Sequence, residues 1–208
     1  MIIAVDGPAA AGKGTIARAL ARHFKFHFLD TGTLYRRVGL ALLKSNRDPH
    51  DVAAATAIAQ NLSTLEFHDA QLRSEAVAAA ASIVAVIPQV RVALLDFQRD
   101  FAAKSPGAVL DGRDIGTVVC PHADAKLFIT ASALVRAKRR FAELSAVGQG
   151  VIFNSVVEDI RLRDERDRSR AAAPLVPAKD AVVIDTSDMT VEAAVAAAIG
   201  AVNSALAR

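Results

Sequence analysis

Nine residues close to the amino terminus restrict this chain more than any other stretch: Gly7, Pro8, Ala9, Ala10, Ala11, Gly12, Lys13, Gly14 and Thr15. The apolar run Ile2-Ile3-Ala4-Val5 with Asp6 precedes them, and the amphipathic pattern Ile16-Ala17-Arg18-Ala19-Leu20 follows. Strand, glycine-bounded loop, lysine and helix occur in the order of a phosphate-binding loop. Small residues let backbone N–H groups turn inward toward an anion, and the helix behind them adds the positive end of its dipole. Lys13 would sit on the outer phosphates as a mobile point charge. A ligand-free strand-to-helix turn leaves that order unexplained. The stretch is not a dinucleotide fingerprint, because it lacks the Gly-x-Gly-x-x-Gly spacing.

The rest of the chain alternates short apolar runs with helical patterns, which implies a parallel sheet with helices on both faces. Strands are expected over residues 26–29, 65–67, 108–110, 126–129 and 181–184, with a turn at 68–69. Helices are expected over 14–23, 34–43, 51–62, 72–87, 88–103, 133–144, 155–168 and 190–208. Asp30 or Thr31 is placed to cap the second helix, Pro88 opens the fifth, and Ser155 with Glu158 forms a capping box for the seventh. Residues 145–153, with Gly148 and Gly150, read as a mobile loop.

Composition sets outer limits. The 208 residues suit one domain of ordinary size, and 52% hydrophobic against 23% charged residues supports a real core. A net charge of +3 is too small to imply nucleic-acid binding by itself. Cys120 is the single cysteine, so no internal disulfide forms, which fits a reducing compartment. The longest apolar run, 76–87, is interrupted by Ser82 and is too short to cross a bilayer. A soluble, cytoplasmic protein is expected, acting as a monomer, with neither nucleic acid nor membrane as partner.

Chemistry-bearing residues collect where strands end. Tyr35, Arg36 and Arg37 stand in the first turn of a helix, where cations oppose the dipole; a nearby anion would explain them, and so would a solvated surface. Arg91 raises the same question. Asp111-Gly112-Arg113-Asp114 follows a buried-type strand, the edge at which open parallel sheets bind ligands; the plain alternative is a polar turn held by an Arg–Asp pair. Arg163, Asp167 and Arg170 recur at helical spacing on one face of a charge-dense stretch. Such runs are usually self-paired exposed faces. Here arginine dominates over lysine, and arginine forks suit phosphate and sugar. Phosphoryl transfer requires neutralising two phosphate-bearing partners at once. Arg36, Arg113, Arg163 and Arg170 could do so. An acceptor that is itself a phosphate is already anionic, so no general base is needed.

The ending Gly12-Lys13-Gly14-Thr15, with the hydroxyl one place later than usual, resembles nucleoside-monophosphate kinases. Taken with residues 29–36, with Asp111 to Val118, and with Arg163 to Arg170 plus Ala173-Pro174-Leu175, the chain resembles bacterial cytidylate kinases nearly end to end. The resemblance implies a three-layer α/β fold: a five-stranded parallel sheet with a phosphate loop, an acceptor-binding lobe and a mobile lid. The implied division within a single kinase domain is a core over about 1–35, 104–140 and 155–208, a lobe over about 36–103 and a lid over about 141–154. The implied activity is transfer of the γ-phosphoryl group of ATP to CMP and dCMP with Mg2+. Gly7 to Thr15 would wrap the ATP phosphates, and Arg136, Arg139 and Arg140 would lie near the lid and the donor. Thr31, Arg36, Arg113 and Arg170 would face the acceptor phosphate, and Tyr35 would belong to the same substrate site. Arg163 and Asp167 would hold the sugar, and Ser82, Arg91 and Asp114 would read the cytosine edge. Lys13, Arg113, Arg163 and Arg170 would carry catalysis. Thr15 is the natural metal ligand, with Asp111 or Asp30 acting through water. The interval between Leu65 and Ser82 is shorter than in many bacterial members, so a reduced lobe is expected. The alternatives are a kinase of UMP or AMP, a nucleotide-sensing switch, which the chain's lack of Asn-Lys-x-Asp disfavours, and a nucleic-acid binder built on residues 161–170, which the interleaved acids disfavour.

Overall fold

The computed structural model describes residues 1–62, 71–72, 74–146, 148 and 150–207, which form two compact units: 1–29 with 102–208, and 30–101. The first unit is built on a five-stranded parallel sheet of β1 (Ile2–Asp6), β2 (His27–Asp30), β3 (Ala108–Asp111), β4 (Ala125–Thr130) and β5 (Val182–Asp185), in the order β2-β3-β1-β4-β5. The apolar runs of the sequence are short because each strand is short, and β1 and β3 are buried on both faces. Helices α1 (Lys13–Phe24) and α8 (Val191–Leu206) pack on each other and on the sheet. Ile3, Val5, Ile16, Leu20, Val109, Leu127, Ile129 and Val202 form the core beneath them.

Register decides where the site lies. Val5 stands beside Asp111, Asp6 beside Phe128, and Thr130 beside Asp185. Four strands therefore end together, and the loops that follow them emerge at one carboxyl edge, where open parallel sheets bind ligands.

The second unit is helical: α2 (Gly32–Lys44), α3 (Val52–Gln60), α4 (Glu75–Val84) and α5 (Pro88–Ala102), around Leu34, Val38, Leu42, Ala55, Val84, Val90 and Leu94. Asp51 caps α3 by accepting the N–H of Ala54 at 3.0 Å. The helix expected over 72–87 is shorter, because Ser74 caps α4 and the backbone turns before Pro88, which cannot continue a helix and starts α5 instead. The strand and turn expected over 65–69 lie outside the described residues.

Helices α6 (Ala133–Ala146) and α7 (Phe153–Ser169) complete the first unit. The capping box expected at Ser155 is not used: α7 begins two residues earlier, after Ile152, and Glu158 pairs with Arg161 at 2.8 Å. The cause is packing. Phe153 lies edge-on against Phe141, with ring centroids 5.6 Å apart, and against the cluster of Ala9, Ala137 and Ile160. Tertiary contact thus outweighs a local cap. A π-helical turn, Ile115–Val119, was not expected at all. Among the described residues no single helix is long and apolar enough to cross a membrane.

Candidate functional site

The loop from Gly7 to Gly12 joins β1 to α1. Gly7 has φ +144°, and a Cβ there would lie 1.9 Å from the carbonyl oxygen of Ile129, so no other residue fits. Gly12 is the N-cap of α1, where no side chain caps and no acid lies in the first turn. The first turn of this helix thus carries no acid of its own, as suits an anion site, and the nearby anion is the Asp111 carboxylate from the end of β3. Lys13 is buried, with Nζ donating to the carbonyl of Pro8 at 2.9 Å and 3.9 Å from Asp111 Oδ1. Thr15 is exposed in the same first turn. Asp111 Oδ2 approaches Gly14, 3.3 Å from where a Cβ would stand.

Two braces hold the loop from behind. Arg136 is buried in a two-pronged pair with Asp164, at 2.9 and 2.5 Å, and also donates to the carbonyls of Ala131 and Ala9. Thr186 Oγ1 lies 3.1 Å from the carbonyls of Ala11 and Thr130 and accepts from Arg139 at 3.0 Å. Arg139 thus stands beside the loop, with its guanidinium on Thr186. Arg140 pairs with Glu143 at 2.9 Å.

A second charged centre lies in the same unit. Asp167 is buried on α7 and accepts from Arg113 Nε at 3.0 Å and from Arg170. Arg113 also donates to the carbonyl of Gly112 at 3.1 Å. The helix ends at Ser169, one residue before Arg170, yet the Arg170 guanidinium still reaches Asp167. Burial alone would raise the Asp167 carboxyl, but the charges of Arg113, Arg170 and Arg163 outweigh it and hold it at about 2. Arg113, Asp167 and Arg170, taken from two distant stretches of sequence, are thereby brought together, with Arg163 close enough to act on the same carboxylate.

In the second unit Thr31 is buried at the N-cap position of α2, without a side-chain capping bond. Tyr35 packs on the helical core, Arg36 donates to the carbonyl of Leu72 at 2.8 Å, and Arg91 donates to that of Ala85 at 3.4 Å. Ser82 is 3% exposed and its Oγ has no hydrogen-bond partner among the described residues. A buried hydroxyl left without a partner is costly and points to a ligand.

The cytidylate kinase family model matches residues 3–204. The chain belongs to the cytidylate kinase family. A cytidylate kinase of Paramagnetospirillum magneticum is 58% identical over 206 residues, covering 98% of each chain. One of Methylocella silvestris is 58% identical over 205 residues, covering 99% of this chain and 95% of its own. In fold alone, the chain is similar to the crystal structure of an uncharacterized protein from Eubacterium ventriosum, with TM-score 0.57 and 14% identity over 98% of this chain and 99% of that one.

In this cytidylate kinase family member, sequence reasoning missed Asp6, Asp164 and Thr186. Two of them left a signal: Asp6 is a lone acid closing an apolar strand, and Thr186 follows the last strand at the ligand edge. Asp6 Oδ1 and Oδ2 accept the N–H groups of Ile115 and Gly116, each at 2.8 Å. Burial pushes its carboxyl up to about 6, against the pull of those two bonds. The folded state therefore holds this proton more tightly than the unfolded chain. The stability it contributes is complete below about pH 4 and is lost as pH rises to about 6. Urea unfolding of wild type and Asp6→Asn at about pH 4 and 7 tests this: wild type is expected to lose on the order of 3 kcal/mol more than the variant over that interval.

Proposed function

We propose that this chain transfers the terminal phosphoryl group of ATP to CMP and dCMP, giving ADP with CDP or dCDP. One observation carries the reading. A glycine-bounded loop that opens on a helix with no acid in its own first turn shares a unit with guanidiniums gathered on one buried carboxylate. ATP-dependent phosphoryl transfer is the chemistry of the family, and these are the two halves it needs, one for each phosphate-bearing partner.

Gly7 to Thr15 takes the ATP phosphates, with Lys13 moving from Pro8 to their oxygens and Arg139 and Arg140 on the donor side. Arg113 and Arg170 grip the acceptor phosphate; Asp167 aims their forks beforehand, so little side-chain freedom is lost on binding. Arg163 and Asp167 also serve the sugar. Thr31 and Arg36 are assigned to the acceptor phosphate, Tyr35 to the substrate site beside them in sequence, and Ser82, Arg91 and Asp114 to the cytosine edge. A site built to bond the cytosine amino group rejects uracil, because a mismatch leaves buried groups unpaired. The attacking phosphate oxygen is already an anion, and the residues need only align it and neutralise charge.

Thr15 and Asp111 fit Mg2+, since both offer hard oxygens beside the cradle. Among the described residues no group of three or more acidic, histidine or cysteine side chains could hold a metal, so the phosphates would supply the remaining ligands, as this ion prefers. When bound, Mg2+ neutralises charge on the transferred group.

A coupled assay with ATP and CMP, dCMP, UMP or AMP in turn tests the reading. Turnover is expected with the two cytidine nucleotides, well above that with UMP and AMP. No turnover with either cytidine nucleotide ends it.

A further inference from the structure

Asp6 closes β1 directly before the phosphate loop, yet both of its oxygens serve a different loop. They accept the N–H groups of Ile115 and Gly116. These are the opening N–H groups of the π-helical turn, whose own N-cap residue is Asp114. A helix start ordinarily draws its acceptor from the N-cap side chain. The Asp114 side chain makes no capping bond here, and the acceptor comes from a neighbouring strand instead. The fit is close: a Cβ on Gly116 would stand 3.4 Å from Asp6 Oδ2 and 3.1 Å from the Lys126 side chain.

We propose that Asp6 is a positioning residue for base choice: by capping the π-helical turn from β1, it fixes the backbone that carries Asp114. This rests on the reading above that Asp114 meets the cytosine edge. Arg113 has an independent anchor in Asp167, and the phosphate loop has its own in Arg136 and Thr186. Disturbing the cap therefore reaches Asp114 first and the phosphate contacts least. In Asp6→Asn the amide oxygen keeps one N–H group, while its NH2 confronts the other donor. The charged groups that face Asp6 are Asp114 and Lys13. With its carboxyl at about 6, Asp6 is the ionised acceptor of both bonds near neutral pH.

The test compares kcat and KM for CMP, UMP and ATP in wild type, Asp6→Asn and Gly116→Ala at about pH 7.5, with far-UV circular dichroism reporting the fold. In Asp6→Asn the ratio of kcat/KM for CMP over UMP is expected to fall about ten-fold, with KM for ATP changed less than about two-fold. A merely structural residue would lower the active fraction for both acceptors equally and leave the ratio alone. An unchanged ratio in folded Asp6→Asn, or an equal rise in KM for ATP, overturns the inference. Should Asp6→Asn not fold, Gly116→Ala decides, since it crowds the same bond with Asp6 retained. A fall in its ratio supports the inference and an unchanged ratio overturns it. Wild type without CMP turnover would overturn the functional reading itself, so the two failures are distinct.

Discussion

Replacing Lys13 with alanine is expected to lower kcat by about a thousand-fold while the protein stays folded. The effect is electrostatic. In the transition state, charge develops on the oxygens of the transferred group, and a cation already inside a water-poor loop stabilises it without reorganising. Lys13 is buried; its Nζ donates to the Pro8 carbonyl at 2.9 Å and stands at the long distance of 3.9 Å from the Asp111 carboxylate. Neither contact anchors an element of the core. Loss of the side chain therefore removes a catalytic charge and little of the structure. Stopped-assay kinetics with thermal unfolding checks this. A variant that keeps more than about a tenth of wild-type kcat would remove Lys13 from the reaction.

Much of this arrangement could be read from the sequence, and the unread part has a common cause. The phosphate loop was legible because it is contiguous: strand, glycines, lysine and helix follow one another, and each needs a particular residue type. The sheet order was not given by any local pattern, but the carboxyl-edge rule still located Asp111 to Asp114 once strands were recognised. Arg113 and Arg170 could each be suspected from charge placement. That both converge on Asp167 depends on where α7 is carried by Phe153 and Ile160, a tertiary effect that also defeated the Ser155 capping box. The braces escaped for the same reason. Asp6 bonds residues more than a hundred positions away, and Thr186 meets Ala11 across a comparable gap. No periodicity reports contacts of that range. The charge run of residues 161–170 also divided as its residues face. Arg161 pairs with Glu158 and Glu165 on the exposed side, which is the ordinary use of such runs, while Asp164 and Asp167 turn inward to meet arginines from elsewhere.

Converting Asp167 to asparagine should cost about 2 kcal/mol of stability at neutral pH and raise KM for CMP by tens of fold, with KM for ATP nearly unchanged. Asparagine copies the shape of the protonated acid, so the variant resembles wild type with this one group titrated. The folded carboxyl sits at about 2, below its ordinary 3.8, so its contribution is complete above about pH 4 and disappears as pH falls toward 2. At neutral pH the variant should therefore melt about 6 °C lower, and the gap to wild type should close as the solution is acidified below about pH 4. The kinetic effect has the same origin. Without the carboxylate, Arg113 and Arg170 lose a shared partner and repel one another, so the forks that should grip the acceptor phosphate are no longer aimed. The ATP cradle depends on Ala9, Ala11 and their own braces, and keeps its affinity. A melting gap that persists unchanged to about pH 2, or an equal loss of affinity for ATP and CMP, would mean that Asp167 holds the helix and not the acceptor.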